Sequence, residues 1–166
     1  ILNPVTNVII EENASCETEL TQLRGVSSTV RDTNAELGAG AKLVLTEKLL
    51  THDDQVATSN MKVELKGDDS SVQVISRSVA QDSSVQVFNP LVIGECACRG
   101  HVQCDAIIMG KATVKAIPGI EAASEDALLV HEAAIGKIAG DQITKLMTLG
   151  LTEEEAEEEI LEDFLN

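Results

Sequence analysis

Residues 69–87 read DSSVQVISRSVAQDSSVQV, so the hexapeptide Asp-Ser-Ser-Val-Gln-Val occurs twice, thirteen residues apart. In each copy the valines fall on one face of an extended strand and the glutamine on the other, behind turn-forming Asp and Ser. A strand-length unit recurring at short period predicts a solenoid or a meander of paired strands. Upstream, Met61 to Leu65 (MKVEL) alternates with period two, and residues 43–50 (LVLTEKLL) are read as a strand rather than a helix. Downstream come LVIG (91–94), HVQCDAIIMG (101–110), ATVKAI (112–117) and ALLV (127–130). Gly94, Gly100, Gly110 and Gly119 fall between these units, as the turns of a stacked coil require. Strands at this spacing without intervening helices exclude a doubly wound fold.

The composition agrees. The chain of 166 residues has room for one sizeable core. It contains no Trp or Tyr, and Phe88 and Phe164 are its only aromatic residues. Val, Ile, Leu and Ala must fill the interior, which suits thin layers of stacked small side chains better than a thick core built on aromatic anchors.

The C-terminus changes character. Asp141 is expected to cap a helix over 142–149, stopped by Gly150. Thr152-Glu-Glu-Glu155 is a capping box, and the helix it opens lines up Ala156, Ile160 and Phe164 on one stripe among glutamates. The sequence therefore divides into a β-core, 1–131, and a helical hairpin, 132–166.

Twelve basic residues against 28 acidic ones, a formal charge of −16, exclude a strong phosphate-binding patch and disfavour nucleic acid and anionic membranes. No apolar run approaches the ~20 residues of a membrane span, and no signal peptide opens the chain. Three of the four cysteines crowd together at 96, 98 and 104, which points to a reducing, cytoplasmic setting rather than to disulfides. The chain opens on Ile1 rather than Met, as a fragment or a processed form would.

The densest group of soft ligands is Cys96, Cys98, His101 and Cys104, in the spacing C-x-C-x2-H-x2-C. Thiolates and imidazole suit zinc or an iron–sulfur cluster, although the spacing matches no common zinc finger. The alternative is a set of small, half-buried core cysteines. His131 and Glu132 are adjacent, so on a strand they face opposite ways and chelate one ion only if the backbone turns there. On spacing alone they read as a junction histidine with a glutamate at a helix start. There is no nucleophile elbow, phosphate loop, dinucleotide fingerprint or H-E-x-x-H, which gives no basis for ATP binding by this chain.

QCDAIIMG (103–110), the Pro118–Glu121 element, HEAAIGKI (131–138) and the DQ…LMTLGLTEEEA hairpin (141–156), in that order and spacing, closely resemble the C-terminal part of the SufB/SufD family of iron–sulfur cluster assembly proteins. The likeness is specific over about 85–166 and is greatest to the short stand-alone members. It implies a right-handed parallel β-helix followed by a small helical domain. It further implies a scaffold, not an enzyme, that receives sulfur from a donor and iron, and assembles a cluster transiently at a dimer interface, with itself or a related subunit. A SufC-type ATPase is expected to dock on the C-terminal helices and to be the only nucleotide-binding partner. By residue, the resemblance carries cluster-assembly roles to Cys104, His131 and Glu132, while Cys96, Cys98 and His101 match no family position and stand as further metal ligands. Cys16 does not match the sulfur-accepting cysteine of longer members. A β-helix shortened in this way exposes an open coil, for which self-association is expected. Two other readings are a structural adaptor holding the ATPase through 137–166 and a zinc-binding regulator using Cys96, Cys98, His101 and Cys104.

Overall fold

A computed structural model of the protein describes residues 1–23 and 25–166. Successive strands alternate between two parallel sheets, so the chain winds as a flattened β-solenoid of about five coils. One sheet holds β1 (Val5–Ile10), β3 (Ser28–Leu37), β5 (Val56–Leu65) and β7 (Val85–Gly94), and ends in the short strands β9 (Thr113–Ala116) and β10 (Gly119–Ala122). The other holds β2 (Ser15–Gln22), β4 (Lys42–Thr51), β6 (Ser71–Ala80), β8 (Arg99–Ile108) and β11 (Leu128–Gly136). Val5 lies beside Asp32, Ser28 beside Val56 and Val56 beside Val85, so one coil takes 27 to 29 residues.

The thirteen-residue repeat is therefore half a coil, and its two copies lie in different sheets. They also face opposite ways. In β6 Val72 and Val74 are buried and Gln73 is exposed, as expected. In β7 Gln86 is buried between two half-exposed valines, and its amide donates to Thr51 Oγ1 at 2.8 Å and to the Val79 carbonyl at 2.9 Å. The cause lies at the two corners. At one the left-handed residue is the second of the turn (Asn13, Gly40, Asp69), and at the other it is the first (Asp53, Asp82, Gly110). A shift of one residue exchanges the two faces of a strand. Asn, Asp and Gly occupy these corners because they tolerate positive φ.

Of the four glycines read as turns, only Gly110 lies at a corner; Gly94, Gly100 and Gly119 lie within strands. Gly100 faces the interior, where a Cβ would stand 2.7 Å from the Leu129 side chain. Inward positions are filled by Leu37, Leu43, Leu45, Val63, Leu65 and Val74, each at most 1% exposed. Stacking identical strands about 4.8 Å apart builds these into continuous aliphatic columns. Ile117 and Pro118 interrupt the last strand of the first sheet without changing its register, a break that an edge strand tolerates because Pro has no N–H to give.

The helices are α1 (Gly140–Thr148) and α2 (Glu153–Leu165). The expected capping box is present, with the Thr152 hydroxyl accepting from the Glu155 amide and the Glu155 carboxylate accepting from the Thr152 amide. Asp141 is not the N-cap of α1: that position is Ala139, and Asp141 sits in the first turn, where the helix dipole favours a carboxylate. The change from strand to helix falls between Gly136 and Gly140, so His131 and Glu132 belong to β11 rather than to a junction.

Candidate functional site

β8 and β11 are neighbours at the C-terminal end of the second sheet, with Val102 beside His131 and Cys104 beside Ala133. Val102 and Cys104 are buried inside the solenoid, so His131 and Ala133 face inward from the last coil. Cys104 and His131 are then diagonal neighbours on one inner face, about 8 Å apart along the backbone from strand spacing and rise. Glu132 faces the opposite way. Its carboxylate lies 3.0 Å from His101 Nε2 on the outer surface of the sheet. The structure thus brings Cys104 and His131 together inside and joins Glu132 to His101 outside.

Burial sets the chemistry of the inner pair. Cys104 is 1% exposed, and desolvation, helped by Asp105 and Glu47, pushes its thiol up to about 11. A thiol held protonated is neither a ready nucleophile nor a ready ligand. His131 Nε2 is buried without a hydrogen-bond partner, and desolvation lowers the imidazole pKa against the pull of Glu132. The imidazole is therefore neutral near pH 7, with a buried nitrogen that no protein group hydrogen-bonds.

Cys96 and Cys98 lie elsewhere, at the corner between β7 and β8. Cys98 is buried in the interior and Cys96 is half-buried, its thiol 3.4 Å from the Leu65 carbonyl. His101 faces out, and Cys104 lies further along β8. The sequence cluster C-x-C-x2-H-x2-C is therefore divided among a corner, an outer face and an inner face. Among the described residues no three His, Cys, Asp or Glu side chains are arranged to hold a metal ion.

One inward column was missed by motif reading. Glu47, Ser76 and Cys104 are register partners on successive strands, and each is at most 3% exposed. Glu47 accepts from Arg31 at 3.1 Å and from Ser59 at 2.6 Å, while Arg31 also donates to Gln22 at 3.4 Å. The signal was present in the alternation: position 47 has the parity of Leu43, Leu45 and Leu49, so a strand placing those leucines inside must place the glutamate there too.

At the other end, α2 packs against α1 and β6, and its Ala156 is fully buried. Beside this contact lies a groove of about 430 Å³, floored by Leu50, Met109 and Leu161 and edged by Glu154, Glu158 and Glu162. No helix among the described residues is long and apolar enough to cross a membrane.

Fold and inner site together define a parallel β-solenoid whose last two coils carry a cysteine and a histidine at diagonal positions of one inner face. The family described as SUF system FeS cluster assembly, SufBD core domain, matches residues 3–164. The chain belongs to this family. It is 32% identical over 131 residues to an iron–sulfur cluster assembly SufBD family protein of Methanothermobacter thermautotrophicus, covering 78% of this chain and 32% of that one. A namesake in Methanocaldococcus jannaschii is 29% identical over 168 residues, covering 99% of this chain and 53% of that one. Another in Pyrococcus horikoshii is 35% identical over 133 residues, covering 79% and 40%. The chain spans between about a third and a half of the length of these relatives. The family takes part in iron–sulfur cluster assembly.

Proposed function

We propose that the protein is a non-enzymatic scaffold on which an iron–sulfur cluster is assembled transiently, with Cys104 and His131 as ligands. The observation that carries this reading is their placement on one inner face of the two outermost strands of the second sheet. The soft thiolate and the borderline imidazole suit iron and sulfide. Burial argues that the resting form is closed: Cys104 must lose a proton and meet solvent before it can bind, so the last coil has to move. β11 is the edge of its sheet, and Val130 and Ile135 are 47% and 40% exposed on its two faces. A second copy or a related subunit closing over that edge would complete the ligand set, with Glu132 reached from the outer face.

The motion is assigned to an ATPase of the SufC type docking on the helices. The acidic-edged apolar groove beside α2, on a chain of net charge −16, supports a partner with a basic and apolar surface. Sulfur would come from a separate donor protein. The protein, alone and then with the ATPase and ATP, is to be supplied anaerobically with iron and sulfide. A cluster absorption that rises when ATPase and nucleotide are added is the expected result; none under either condition contradicts the reading.

A further inference from the structure

The corner that holds Cys96 and Cys98 has features that packing alone leaves unexplained. The two thiols stand two residues apart as close neighbours, and Cys96 also lies near the Ser70 hydroxyl. Ser70 is 1% exposed, and its Oγ has no hydrogen-bond partner at bonding geometry. An orphaned buried hydroxyl is destabilising, so its place near sulfur calls for a reason. A Cβ on Gly94 would stand 2.9 Å from both the Ala127 side chain and Cys98 Sγ, so glycine leaves room for both. An opening of about 570 Å³ reaches Cys98 and Ser70 from solvent, and Lys42, Arg99, Asp69 and Asp126 line it with two charges of each sign.

We propose that Cys96 and Cys98 form a two-thiolate site for a soft monovalent metal ion, of which copper(I) is the physiological example. The donor set decides the metal. Structural zinc takes four tetrahedral ligands, and this corner offers two sulfurs, a hydroxyl and a carbonyl. His101 is turned to the outer face beside Glu132, and Cys104 lies further along β8. Two neighbouring thiolates are a donor set that a soft monovalent ion accepts without further ligands, as zinc does not. Binding displaces two protons to water, and the bound ion leaves one net negative charge near Lys42 and Arg99. Ser70 is then positioned to donate to the Cys96 thiolate, which gives the orphaned hydroxyl its partner. The site is independent of the cluster role of Cys104.

The test is an anaerobic titration of the reduced full chain with copper(I) in the presence of bicinchoninate as competing chelator, followed by copper X-ray absorption. One equivalent that resists the chelator with sulfur-only coordination is expected, lost in Cys96→Ser and in Cys98→Ala and kept in Cys104→Ala. Thermal melts of both variants separate loss of the site from loss of the fold. Ser70→Ala is expected to weaken retention several-fold without abolishing it. Retention unchanged in well-folded Cys96→Ser, or copper removed by the chelator from the wild type, overturns the proposal. A failure of cluster reconstitution through Cys104 leaves the result intact, so the two readings fail separately.

Discussion

The middle coils and the last coil are built from the same strands and finished differently. From β3 to β8 nearly every inward side chain is enclosed by coils on both sides, and Leu45, Val63, Leu65 and Val74 are fully buried. On β11 the inward positions His131, Ala133 and Ile135 have a neighbour on one side only, and Ala133 and Ile135 are exposed. The contrast teaches where chemistry can sit in a solenoid. The enclosed coils hold the paired Arg31 and Glu47 and the protonated Cys104 thiol, whereas the last strand carries an unpartnered imidazole, diagonal to that thiol and next to the open edge.

The comparison can be broken most severely in the enclosed interior. Glu47→Ala leaves the Arg31 guanidinium buried without its partner and is expected to cost roughly 3–5 kcal/mol in denaturant unfolding. Replacing both residues together (Arg31→Met with Glu47→Leu) is expected to restore most of that stability. Leu45→Ala should cost about 2–5 kcal/mol as a cavity in a site that cannot collapse. Ile135→Ala on the open coil should fall within roughly 1 kcal/mol, since little surface is uncovered there. Equal losses at the two positions would show that the last coil is as enclosed as the rest.

Titration sharpens the contrast within the inner pair. The Cys104 thiol is raised, so its contribution is present below the ordinary value near 9 and is lost as pH rises through about 11. That loss is roughly 2–3 kcal/mol, and it should vanish from the stability profile of Cys104→Ala. His131 is lowered, so its contribution is present above the ordinary value of 6.5 and is lost as pH falls through its folded value. The smallest effect is local: Thr152→Ala removes the capping box and should cost about 1 kcal/mol of helix stability, read by far-ultraviolet circular dichroism, without touching the solenoid.

Much of this architecture was legible in the residues. Alternation in MKVEL and LVLTEKLL marked strands, the lack of aromatics marked a thin interior, and Thr152 with Glu155 marked the second helix. The coil length was not legible, because the only verbatim repeat, DSSVQV, is half a coil long and changes face between its copies. That change depends on where the turn falls: Asp69 and Asp82 both take positive φ, but Asp69 is the second residue of its turn and Asp82 the first of its own. The ligand group at 96–104 looked like one cluster because sequence distance hides direction. The corner after Cys98 and the alternation of β8 send its members three ways. His131 and Glu132 read as a junction histidine and a glutamate at a helix start, because nothing local showed that β11 continues past them to Gly136.

The most direct test of the central claim is anaerobic iron and sulfide reconstitution of wild type beside Cys104→Ala, His131→Ala and the Cys96→Ser/Cys98→Ala double variant, followed by absorption spectra and iron counting. The last-coil site predicts a cluster in wild type and in the double variant, and its loss in both Cys104→Ala and His131→Ala. A cluster that survives in those two and disappears only with Cys96 and Cys98 would contradict it.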